Sequence, residues 1–145
     1  MSSTKKILIA EDERAIAKAL ELKLKNTGFE VTVALNGQEA LDANASAKFD
    51  LIVLDLMMPN VDGYQVLEQL QKIGNKVPIV VASNLSLEDD FKKAKMLGAR
   101  DYFIKSNTSL AELVGKIQII LNETNWRKYK TDTARQQLPF FRRSQ

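Results

Sequence analysis

The sequence predicts a doubly wound α/β fold, (βα)5, with a five-stranded parallel sheet of order 2-1-3-4-5 and helices on both faces. Three observations carry this. Short apolar runs alternate five times with segments of helical periodicity. The first, third and fourth runs are solidly apolar while the second and fifth are mixed, which makes the second and fifth the edges of the sheet. The first, third, fourth and fifth runs also end on polar residues: Glu11 and Asp12, Asp55, Ser83 and Lys105.

The elements follow in order. Lys5–Ala10 reads as a buried strand, and the next helix puts Ile16, Ala19, Leu20 and Leu24 on one face and stops at Gly28. Glu30–Ala34 alternates polar and apolar residues, as a half-exposed strand does. Asn36, with Glu39 three residues on, caps a helix whose apolar face is Ala40 and Leu41. Leu51–Leu54 is a short run suited to burial on both faces. It ends on Asp55, and Pro59 prevents further pairing. Asp62 and Gln65 cap a helix with Val66, Leu67, Leu70 and Ile73 inward.

Val77–Ala82 is the fourth strand. Ser86 and Asp89 are expected to cap a helix carrying Phe91, Ala94 and Leu97. Asp101–Ile104 is a short mixed strand, and a last helix spans about Thr108 to Asn122 with Leu110, Leu113, Val114, Ile117, Ile120 and Leu121 on its apolar positions.

Composition narrows the chemistry. The chain has 145 residues, 45% hydrophobic and 27% charged, as an ordinary globular domain does. Without histidine or cysteine it has no imidazole base, no thiolate and no Cys/His zinc site, so any chemistry runs on carboxylates, lysine, hydroxyls and backbone. There is no membrane-length apolar run and no signal-peptide pattern, which leads to an expectation of a cytoplasmic protein. The net charge of +3 belongs to the tail: residues 122–145 hold six of the 21 basic side chains and only two of the 18 acidic ones.

Strand order 2-1-3-4-5 brings the ends of strands one and three to the switch point, where open α/β sheets bind ligands. Glu11, Asp12 and Asp55 would meet there. Gathered carboxylates repel one another, and oxygen ligands suit a hard cation such as Mg²⁺. Lys105 and Ser83 opposite them could hold phosphate oxygens, and a carboxylate can itself take up a phosphoryl group.

These residues resemble the receiver domain of bacterial two-component response regulators, whose fold is flavodoxin-like. The likeness covers roughly Lys5–Asn122 and rests on Ile-Leu-Ile-Ala-Glu11-Asp12, Leu-Asp55-Leu-Met-Met-Pro59-Asn-Val-Asp62-Gly63, Val-Val-Ala-Ser83 and Gly98-Ala-Arg-Asp-Tyr102-Phe-Ile-Lys105. The resemblance implies that Asp55 accepts phosphoryl from the phosphohistidine of a sensor histidine kinase or phosphotransfer protein. It also implies that Glu11, Asp12, Asp55 and the backbone carbonyl of Met57 serve Mg²⁺, Glu11 through water, and that Ser83 and Lys105 hold the phosphoryl oxygens. Tyr102 is then the aromatic switch that follows Ser83 inward and reshapes the surface of the fourth helix, fifth strand and fifth helix. A partly buried edge-strand aromatic is the plainer reading of Tyr102.

Such a protein is not a turnover enzyme; it catalyses only its own phosphorylation and dephosphorylation. The chain departs from the family pattern at Ser106, where a proline often follows the lysine through a cis bond; a trans bond is expected here because a cis bond without proline is costly. Met57 and Leu85, two residues past Asp55 and Ser83, are bulky and apolar, so slow self-dephosphorylation is expected.

Residues 1–122 are read as the receiver-like domain and 123–145 as a basic, aromatic tail that is too short for a separate output domain. The expectation is a stand-alone regulator whose tail docks a downstream protein partner, with nucleic acid a less favoured target and phosphorylation-dependent homodimers a family precedent. Two alternatives stay open: a degenerate receiver that acts without phosphate, and a phosphatase of the haloacid dehalogenase type. Against the phosphatase, Met57 stands where that family needs a second Asp.

Overall fold

The computed structural model describes residues 4–123; the tail assigned to partner docking lies outside these residues from 124 on. Five strands, β1 (Lys6–Ala10), β2 (Glu30–Ala34), β3 (Leu51–Leu54), β4 (Ile79–Ser83) and β5 (Asp101–Ile104), alternate with five helices. The helices are α1 (Arg14–Asn26), α2 (Gly37–Ser46), α3 (Gly63–Lys72), α4 (Glu88–Met96) and α5 (Leu110–Asn122). All strand pairs are parallel and the order is β2-β1-β3-β4-β5, as the burial argument requires. Every residue of β3 and β4 is buried, whereas β2 alternates and β5 is mostly half-buried.

The sheet divides the core in two. Leu8, Ile52, Leu54 and Val81 face a cluster with Val66, Leu67, Leu70 and Ala94, on the side of α2, α3 and α4. Ile7, Ile9, Val53 and Val80 face Leu20, Leu24, Leu113, Val114 and Ile117 from α1 and α5. Each fully buried aliphatic side chain contributes about 1.5–3 kcal/mol relative to exposure, and both faces of the central strands are covered, which explains their unbroken apolar runs.

Several local expectations are corrected. The buried stripe of α1 is Ala17, Leu20 and Leu24, while Ile16 is half-buried and Ala19 exposed; the helix is rotated from the stripe expected. Ile73 is the C-cap of α3 and 68% exposed, because the helix ends before turning that position inward. The start of α4 is one residue later than expected: Asp90, not Asp89, accepts from the Leu87 N–H at 3.1 Å, and Leu87 has no side-chain acceptor to return the bond. α5 begins at a reciprocal cap between Ser109 and Glu112. The Asp62–Gln65 capping box forms as expected, at 2.9 Å in both directions. Asn36 accepts from the Glu39 N–H at 2.8 Å, but the Glu39 side chain reaches past the cap to the Leu35 N–H.

At the amino end of the sheet, Arg100 Nη2 donates to Glu123 Oε1 at 2.9 Å, tying the end of α5 to the residue before β5. Asp101 is buried at the start of that strand. Burial raises its carboxyl pKa above the ordinary 3.8, although the Tyr102 N–H and the nearby Lys116 and Arg100 charges oppose this.

Two stability predictions follow from these features. A Cβ on Gly115 would meet nothing within 4 Å, so Gly115→Ala should stabilise the domain by about 0.5–1 kcal/mol through helix propensity, seen as a higher thermal midpoint. Asp101 binds its proton more tightly folded than unfolded, so it costs stability as pH rises through the folded pKa and costs nothing below the unfolded value. Asp101→Asn should therefore leave the protein relatively more stable at neutral pH than near pH ~3, in urea titrations at the two pH values.

Candidate functional site: an acidic pocket at the sheet switch point

The pocket arises where the chain leaves β1 and β3 side by side. Ala10 is in register with both Ala34 and Leu54. Beyond those rungs the Glu11 N–H donates to the Ala34 carbonyl and the Asp55 N–H to the Ala10 carbonyl, each at 3.0 Å. Backbone bonds thus carry Glu11 and Asp55 to neighbouring positions at the strand ends. They leave Glu11 5% and Asp55 3% exposed, with Asp12 half-buried beside them.

Carboxylate oxygens of Glu11, Asp12 and Asp55 all lie within 4.8 Å of one another. Lys105 enters from the end of β5: its Nζ donates to Glu11 Oε1 at 2.9 Å and to Asp55 Oδ2 at 3.2 Å, and lies 3.6 Å from Glu13 Oε1. Burial is the largest influence on Glu11 and raises its pKa; the Lys105 hydrogen bond opposes this and the Asp55 charge adds to it. For Lys105, burial would lower the pKa, but the Glu11 bond and the Asp55 charge outweigh it and the ammonium is held charged. Glu13 was not among the residues singled out, although the run Glu11-Asp12-Glu13 is visible in the sequence.

The loop after β3 is built for close approach. Asp55 Oδ1 accepts from the Met57 N–H at 3.1 Å. A Cβ on Gly63 would collide with the Asp55 carbonyl oxygen and Leu56 Cα, so only glycine lets α3 begin against this loop. Met57 is 53% exposed. Behind the carboxylates, a cavity of about 230 Å³ runs between α1 and α5, lined by apolar side chains including Ile16, Leu20, Phe103 and Leu113.

Ser83 is fully buried at the end of β4, next to β3, and its Oγ accepts from the Leu85 N–H at 3.3 Å. Tyr102 stands beside Ser83, near enough to feel the Asp55 charge. Its hydroxyl donates to the Leu85 carbonyl at 2.7 Å, and its ring meets Phe91 edge-on at 4.7 Å. Burial first, and then the Asp90 charge, push its pKa up to about 12. The loop following Ser83 is therefore tied to Tyr102. No peptide bond among the described residues is cis, so Lys105–Ser106 is trans as expected.

The donor set fits a divalent ion. Three carboxylates against one ammonium leave an excess of two negative charges if all three are ionised, and the ligand atoms are all oxygen, as Mg²⁺ prefers.

Comparisons with known proteins agree with this geometry. Residues 7–118 match the family model "Response regulator receiver domain". Transcriptional regulatory protein PrrA of Mycobacterium leprae is 38% identical over 119 residues, covering 82% of this chain and 51% of the relative. The chain spans about half the length of the curated relatives it matches. Among solved structures, the Francisella response regulator 1452 receiver domain superimposes with a TM-score of 0.79 at 32% identity, covering 83% of this chain and 99% of that one. Response regulator TrrA of Thermotoga maritima, solved in complex with Mg(2+)-BeF, gives a TM-score of 0.70 at 31% identity over 79% of this chain and 97% of that one. The chain belongs to the response regulator receiver domain family of two-component systems.

Proposed function

We propose that Asp55 is the phosphoacceptor of this receiver domain, taking a phosphoryl group from the phosphohistidine of a partner kinase or phosphotransfer protein. The carrying observation is the Lys105 ammonium bonded to both Glu11 and Asp55 within a cluster of three carboxylates.

Glu11, Asp12, Asp55 and the Met57 carbonyl would hold Mg²⁺, which when bound supplies Lewis-acid neutralisation of the pocket and of the incoming phosphoryl oxygens. The chain's own residues do the rest. The Met57 N–H and Lys105 fix the Asp55 carboxylate from two sides, and burial keeps it free of competing water. An Asp55 oxygen bonds to phosphorus as the phosphorus–nitrogen bond to the donor histidine breaks, and the bonding pair returns to the imidazole. Lys105 and the Ser83 hydroxyl then stabilise the phosphoryl oxygens. A Ser83 that turns toward them pulls on the loop whose Leu85 carbonyl binds Tyr102, which supports Tyr102 as the switch to the α4-β5-α5 surface and its downstream partner.

On this reading residues 1–122 form the phosphoaccepting domain of a signalling protein, and 123–145 a segment for partner contact. No described helix is long and apolar enough to cross a membrane; the cytoplasmic setting is proposed from the receiver-domain family.

Incubation with acetyl phosphate and Mg²⁺ should give one phosphoryl adduct. Asp55→Asn or added EDTA should reduce labelling to background, measured by intact mass. Multiple turnover would indicate a phosphatase, and no adduct a module that works without phosphate. Half-exposed Met57 at the pocket mouth should slow in-line attack by water, so Met57→Asn should shorten the phosphoryl lifetime about two- to tenfold, read as decay of the labelled protein after the donor is removed.

A further inference from the structure

The turn that carries Lys105 is held from one side by a bond that a proline at position 106 could not make. Parallel pairing of β4 with β5 ends at the Ser83–Ile104 rung. Lys105 then opens a three-residue 3-10 turn, Lys105–Asn107, whose closing Thr108 N–H to Lys105 carbonyl bond is long at 3.4 Å. The next bridge between the two segments is supplied by a side chain: the Ser106 N–H donates to Asn84 Oδ1 at 2.9 Å. Proline has no N–H to offer there.

Lys105 is thereby bracketed, with the last ladder rung at Ile104 before it and the Asn84 bond at Ser106 after it. Asn84 itself lies between Ser83 and Leu85, the residue whose carbonyl accepts from Tyr102. Three consecutive residues of the β4–α4 connection are therefore engaged: Ser83 by the Leu85 N–H, Asn84 by the Ser106 N–H and Leu85 by the Tyr102 hydroxyl.

We propose that Asn84 is a positioning residue for Lys105. Its side-chain carbonyl fixes the trans Lys105–Ser106 turn so that the ammonium stays over Glu11 and Asp55, and it makes the lysine move with the loop that follows Ser83. The inference rests on the phosphoacceptor reading and deepens it. A lysine reaches its partners through a flexible four-carbon stem, so a backbone that wanders at its root spreads the ammonium over several positions. Asn84 and Ser106 are exposed, and one exposed hydrogen bond adds little to global stability. Its loss should therefore be read at the site and not in the unfolding midpoint.

The test measures two quantities on the full chain: hydrogen exchange at the Ser106 amide without phosphodonor, and the rate of Asp55 labelling by acetyl phosphate with Mg²⁺. Asn84→Ala should speed Ser106 exchange about tenfold and slow labelling about three- to tenfold, with the thermal midpoint unchanged. Asn84→Asp keeps an acceptor oxygen and should restore Ser106 protection. In a Lys105→Ala background, Asn84→Ala should slow labelling no further, because its effect passes through the lysine. A Ser106 amide indifferent to Asn84→Ala, or the same loss of rate with and without Lys105, overturns the proposal. Labelling that proceeds normally in Asn84→Ala overturns this inference alone. A parent chain that takes no label at Asp55 overturns the phosphoacceptor reading and this inference with it.

Discussion

Most of what is unusual in this domain traces to electrostatic crowding at the ends of two adjacent strands. Glu11 and Asp55 are almost wholly withdrawn from water, with Asp12 beside them and one ammonium between them. Taking carboxylates out of water costs several kcal/mol each unless charge and hydrogen bonds compensate, and Lys105 compensates only in part, since burial still raises the Glu11 pKa. The fold tolerates this because the backbone leaves no choice of position. The Ala34–Glu11 and Ala10–Asp55 bonds continue the sheet past its last rungs and bring the two acids together regardless of their charge. A site held in that state is complementary to a small hard cation.

The layers around the pocket divide the work. On one face α1 and α5 pack an apolar floor against the sheet, and on the other α2, α3 and α4 pack a second apolar cluster. Gly63 lets the start of α3 touch the Asp55 backbone. On α3, Tyr64 donates to Asp90 at 2.7 Å, and the same carboxylate caps the start of α4. The helix after the Asp55 loop and the helix after the Ser83 loop are thus joined by one acid, while the Tyr102–Leu85 bond separately ties the Ser83 loop to β5.

The fold was legible because parallel sheets write burial directly into composition: solid runs at Leu51–Leu54 and Ile79–Ala82, mixed ones at Glu30–Ala34 and Asp101–Ile104. The pocket was legible for a related reason, since polar residues at successive strand ends converge once the strand order is known. Reading failed where one turn of helix decides. Ile73 has the right spacing for the core but stands after the last turn of α3, and Asp90 displaces Asp89 as the cap of α4 because its side chain reaches back to Leu87. Glu13 and Asn84 were passed over for a different reason: their partners, Lys105 and Ser106, are distant in the chain, and neither type of residue looks unusual in a loop.

The Arg100–Glu123 clasp has a consequence for how a message could leave the domain. It anchors the last turn of α5 beside the first residue of β5, at the far pole from the carboxylates. α5 is 13 residues long, or about 20 Å. Glu123 therefore stands about one helix length from the carboxylate pocket, so a change in the pocket reaches that end of the domain through packed secondary structure and not by direct touch.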